Sequence, residues 1–126
     1  MTSSHLRDRY LQDSVNTASP GKLLLMLYDR LVLDLIQGED ALRAGDRESA
    51  YGKLTHAQEI ILELRTSLDI EIWSGAAGLA NLYDYLLLEL IGANVARDAG
   101  RVAACRAILE PLRDAWREAA AAAVTG

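Results

Sequence analysis

At 126 residues and 51% hydrophobic, the chain has the material for one buried core and too little for two. Its formal net charge of -5, with no cluster of Lys and Arg, excludes a nucleic-acid binder, because the phosphate backbone demands a basic patch. The lone Cys105 excludes an internal disulfide, and two prolines with no Phe among abundant Leu and Ala tilt the composition towards helix.

The first residues, MTSSHLRDRYLQDS, are polar and lack an apolar h-region, so they do not read as a signal peptide. Together with the cysteine usage this points to a soluble cytoplasmic protein. Residues 1–18 read as a tail in which Leu6, Tyr10 and Val15 punctuate polar sequence. Burying such a side chain gains about 1.5–3 kcal/mol, while ordering the backbone costs about 1–2 kcal/mol per residue, so the two nearly cancel. Such a segment suits either a disordered terminus or a labile lid.

Ser19-Pro20 reads as an N-cap followed by proline at the first helical position. Helix one then runs to about Ala44, where Gly45 can take the left-handed C′ conformation and Asp46 can cap the next start. Helix two, roughly Arg47 to Leu68, sets Leu54, Ala57, Ile61, Leu64 and Leu68 at alternating three and four spacings. LDIEIWSGAAG breaks the pattern, and helix three starts at about Gly75 or Gly78 and ends near Arg97. Its stripe is Leu79, Leu82, Tyr83, Leu86, Leu90 and Ala93. Asp98 or a residue beside it caps helix four, whose stripe is Val102, Cys105, Leu109, Leu112, Trp116 and Ala119, with a kink expected at Pro111. Residues 123–126 should fray. Short connections make neighbours antiparallel, so residues 19–122 are expected to form an all-α, up-down four-helix bundle, with the tail or a short extra helix packing on it. The longest apolar run falls short of a membrane span and is broken by charge, so no stable membrane insertion is expected.

The apolar content exceeds what a bundle seam needs. TASPGKLLLMLYDRLVLDLI adds Leu25, Val32 and Ile36 beside its stripe, helix two adds Ile60 and Leu62, and helix three adds Tyr85, Leu88 and Ile91. A central helix wrapped by the others explains one such surplus. Three over-apolar helices point instead to a groove for another amphipathic helix. No catalytic, cofactor or metal site is expected. His5 and His56 cannot supply the Glu-x-x-His pairs of a metal bundle, and Cys105 sits on a core stripe. Asn81, Asp84 and Asn94 either staple the bundle or bond a partner's backbone.

YLQDSVNTASPGKLLLMLYDRL resembles the N-terminal signature of the FliS family, the flagellin export chaperones, and AQEIILELRTSLD, NLYDYLLLELIGANVARD and LRDAWREA follow in the order that family shows. The resemblance implies a cytosolic chaperone that binds the C-terminal amphipathic segment of flagellin, prevents premature polymerisation and delivers it to the flagellar type III export gate. On that reading the flagellin groove comprises Leu25, Val32, Ile36, Ile60, Leu62, Leu82, Tyr85, Leu88, Ile91 and Asn94. Leu6, Tyr10 and Val15 would form the lid, with Tyr10 meeting the gate once the client expels the tail. The free protein would be a monomer or weakly self-associating. The alternative is a structural homodimeric bundle adaptor without a flagellin client.

Overall fold

A computed structural model describes residues 20–68 and 74–125. Four helices follow one another: α1 (Pro20–Ala44), α2 (Arg47–Ser67), α3 (Ala76–Ala96) and α4 (Ala99–Thr125), with no strand among the described residues. Each helix packs on the next and α1 closes on α4, so α1 and α3 stand diagonally. Side-chain pairs run in opposite order along α1 and α4. Asp29 meets Arg117 and Glu39 meets Arg106, so α1 and α4 are antiparallel. Together with the short connections this is the expected up-down bundle. The tail with Leu6, Tyr10 and Val15, the cap Ser19, and Trp73 lie outside the described residues.

The two tight turns share one construction. At the first, Gly45 adopts φ 76° and Asp46 N–H returns to the Ala41 carbonyl at 2.9 Å; at the second, Arg97 adopts φ 54° and Asp98 N–H returns to Ala93 at 2.9 Å. Both are Schellman closures that satisfy orphan carbonyls. Each aspartate then caps the following helix, Asp46 accepting from Ser49 N–H at 3.1 Å and Asp98 from Arg101 N–H at 3.2 Å. α4 continues through Pro111, which lies on its exposed side.

Leu31 and Leu35 of α1, Leu54, Ile61 and Leu64 of α2, Leu86 and Leu90 of α3, and Val102 and Leu109 of α4 fill the core. Tyr28 and Tyr83 reach across the diagonal, and their hydroxyls bond at 2.6 Å, so neither buried phenol is left without a partner. Burial pushes both phenols up from their ordinary value. The Trp116 ring lies tilted on Tyr28 with centroids 6.4 Å apart.

Gly38 lies where α1 packs tightly on Leu54 of α2. A Cβ built there would fall 2.8 Å from Cδ2 of Leu54, itself fully buried. Alanine in place of glycine gains about 1 kcal/mol of helix propensity, but overpacking a filled core costs about 1–3 kcal/mol. Gly38→Ala should therefore lower the melting temperature followed by circular dichroism, and Gly38→Leu should prevent folding. An unchanged or raised melting temperature for Gly38→Leu would mean that the two helices are not in this contact.

Candidate protein-binding face

The apolar surplus predicted for three helices divides in the fold. Val32 is 2% exposed and Ile60 is 6% exposed, so both belong to the core and not to a groove. The reason is geometric. A helix in a square bundle meets two neighbours, α1 touching α2 and α4, and α2 touching α1 and α3. Its buried arc is therefore wider than a single seam. Leu25, Leu82 and Asn94 are half-buried, Leu82 resting against the core. Ile36 is exposed but lies on α1, diagonally opposite α3, so the structure does not bring it beside Tyr85, Leu88 and Ile91.

What remains is a face on α2 and α3. Tyr85, Leu88, Ile91 and Val95 are all exposed, at spacings of three and four that place them along one side of α3. Leu88 is 69% exposed and Val95 82%, which for large aliphatic side chains leaves them without any covering partner. The row advances about 15 Å at 1.5 Å per residue. α2 adds Leu62 and Tyr51, both exposed. Val95, Tyr51 and Leu33 were not anticipated from sequence; Val95 continues the row from Leu88 and Ile91, whereas Tyr51 and Leu33 fall off every stripe.

Two hollows border this face. One, of about 300 Å³, lies along α2 between Glu59, Leu62, Glu63 and Thr66. The other, of about 230 Å³, opens between the start of α2 and the end of α3, where Arg47, Tyr51, Asn94, Val95 and Arg97 line it with Leu42 and Ala50 behind. The charged groups beside the row are engaged sideways. Asp84 accepts from Arg65 at 3.2 Å, and Glu89 takes both Nε and Nη2 of Arg101, at 3.3 and 3.2 Å. Asp84 thus staples α2 to α3, the structural role allowed for it from sequence.

Reactive chemistry is not assembled here. Cys105 is buried, and its thiol is pushed up to about 11, first by burial and then by the Glu89 carboxylate, so it is protonated and inert at neutral pH. His56 bonds through Nδ1 to the fully buried Asp34, a side-chain hydrogen bond between α1 and α2 that sequence reading missed. Arg30 Nε lies 3.3 Å from the other carboxylate oxygen but off axis, so that oxygen accepts no hydrogen bond. Glu39 is desolvated, yet the Arg106 and Arg43 guanidiniums outweigh this and hold its carboxyl below the usual range. Among the described residues no group of His, Cys, Asp and Glu is placed to hold a metal ion, and no helix is long and apolar enough to cross a membrane.

The bundle leaves an apolar helix face uncovered, and its sequence carries a matching family pattern. The family model described as Flagellar protein FliS matches residues 2–123. The chain belongs to the FliS family. FliS is a family of chaperones, not of enzymes. Flagellar secretion chaperone FliS of Bacillus subtilis (strain 168) is 37% identical over 110 residues, covering 87% of this chain and 82% of that protein. The FliS of Salmonella typhimurium (strain LT2) is 31% identical over 110 residues, with 86% and 82% covered. A solved structure described as "Crystal structure of flagellar chaperone from bacteria" shares the fold at a TM-score of 0.74 and 24% identity, over 93% of this chain and 96% of that one.

Proposed function

We propose that this chain is a cytoplasmic export chaperone that binds the C-terminal amphipathic segment of flagellin, keeps it from polymerising prematurely and delivers it to the flagellar type III export gate. The observation that carries this reading is the row Tyr85, Leu88, Ile91 and Val95, exposed on a helix whose other face is core. A segment built to pack in a filament exposes apolar surface before assembly. Covering that surface stabilises the pair by roughly 25 cal/mol per Å² buried. Ordering a flexible client opposes this, so the interface must extend beyond one helix face. Half-buried Leu25, Leu82 and Asn94, and the exposed Leu62 and Ile36, are proposed as its extensions, a client of several helices passing round the bundle. Tyr10, with Leu6 and Val15, is proposed as the gate-docking tail on the family resemblance of its sequence.

Calorimetry tests this directly. The flagellin C-terminal segment should bind one to one with a markedly negative heat-capacity change, the mark of apolar burial. Flagellin lacking that segment should give no heat. Absence of binding to any cognate flagellin, together with a mass twice that of the monomer at micromolar concentration, would favour the structural homodimer instead.

A further inference from the structure

The hollow at the end of the α3 row gathers two guanidiniums that have no carboxylate partner among the described residues. Every other arginine among the described residues lies within 4.0 Å of a carboxylate, whereas Arg47 and Arg97 pair with none. Both line the same hollow, together with Tyr51, Asn94 and Val95. The nearby aspartates are occupied elsewhere, Asp46 and Asp98 capping α2 and α4, and Glu48 makes no ion pair with either guanidinium. In a chain of net charge -5, two guanidiniums without an ion-pair partner therefore line one hollow.

Arg97 is also placed against backbone preference. It holds the left-handed position that closes α3, with φ 54°, where the equivalent turn after α1 uses Gly45. Glycine or asparagine takes that conformation more readily than a residue with a long side chain. A retained strain of this kind points to a use for the side chain.

The hollow is continuous with the apolar row, because Val95 belongs to both. The opposite end of the same face is acidic, with Glu59 and Glu63 beside Leu62. An amphipathic helix lying along α3 therefore meets carboxylates at one end and guanidiniums at the other. We propose that Arg47 and Arg97 form a clamp for an acidic side chain of that helix, which fixes where along the row it comes to rest and in which direction it runs. This rests on the reading of the α3 row as the client-binding face. Apolar contact alone is non-directional, so a segment held only by Leu88, Ile91 and Val95 could slide by a turn. A planar guanidinium pair accepts a carboxylate in few geometries and removes that freedom.

The test uses the full chain and a synthetic peptide of the flagellin C-terminal segment, with affinity measured by fluorescence anisotropy at low and high salt. Wild-type binding should weaken as salt rises. Arg97→Gly should raise the melting temperature by a few degrees, since it relieves the left-handed strain, and yet weaken binding about fivefold. Arg47→Gln combined with Arg97→Gly should weaken it about tenfold or more and flatten the salt dependence. A peptide with its Asp and Glu changed to Asn and Gln should lose as much against the wild-type protein and nothing further against the double variant. Unchanged affinity and salt dependence in the double variant would overturn the clamp while leaving the client reading intact. If only amidation of the peptide's C-terminus reproduced the loss, the side-chain assignment would be wrong. A wild-type protein that does not bind the peptide at all would remove both readings.

Discussion

Leu88→Glu is expected to lower affinity for the flagellin C-terminal segment by more than a hundredfold while leaving the thermal melt close to that of wild type. Leu88 is 69% exposed, so in the free protein the new carboxylate stands in water, and exposed substitutions change stability by only about ±0.5 kcal/mol. Glutamate is also about as good a helix former as leucine. In the complex the same position is covered. There the change forfeits about 1.5–3 kcal/mol of leucine burial and adds the desolvation of a charge without a partner. Ile60→Glu should behave in the opposite way. At 6% exposure its carboxylate would be forced into the apolar core cluster to which Ile60 belongs. A native state worth about 5–15 kcal/mol in total cannot hold an unpaired buried charge easily. Ile60→Glu, like Leu64→Asp, should unfold the domain, read as loss of the helical circular dichroism signal at 25 °C. If Leu88→Glu melts as low as Ile60→Glu, then the α3 row is core and the binding face lies elsewhere.

Leu88 and Ile60 are indistinguishable in sequence, and their separation shows where sequence reading ends. Both are aliphatic residues lying off a stripe of three and four spacings. Local chemistry was legible. Gly45 before Asp46 encodes the first turn and its cap within two residues, Asp98 encodes the second cap, and the structure has these. The core stripes were legible for the same reason, since helical periodicity alone places Leu54, Ile61 and Leu64 on one face. Which surplus residues stay exposed depends instead on how far each helix is rotated and on how many neighbours it has. Val32 is covered because α1 is flanked on two sides, and Ile36, one turn on, is not. No spacing within α1 records that α3 lies across the diagonal. Arg97 in the left-handed region also carries no local signature, because the residue types that advertise such a turn are absent there.

Asp34 is the other feature a single helix could not reveal, for its partner His56 stands on α2, as far beyond Gly45 as Asp34 lies before it. The fold-back at that glycine sets the register that brings them together. Asp34 is fully buried, whereas the side chains of His56 and Arg30 are 45% and 50% exposed. Removing either end of the pair should therefore have unequal effects. His56→Ala leaves a buried carboxylate whose remaining neighbour, Arg30, is off axis and whose second oxygen already accepts no hydrogen bond. Breaking a buried pair in this way costs about 3 kcal/mol. Asp34→Leu removes the buried carboxylate itself, and the half-exposed side chains of His56 and Arg30 that it leaves can turn into water. A hydrophobic side chain of similar volume in place of a buried ion is often neutral or stabilising, so a change within about 1 kcal/mol is expected. The double variant Asp34→Leu with His56→Ala should then be more stable than His56→Ala alone, a rescue measurable by urea denaturation. Client binding should survive in all three, because the pair joins α1 to α2 and the exposed row lies on α3. Should Asp34→Leu prove as damaging as His56→Ala, the carboxylate would be holding α1 and α2 in register, and the energy of the pair would lie in specifying that alignment.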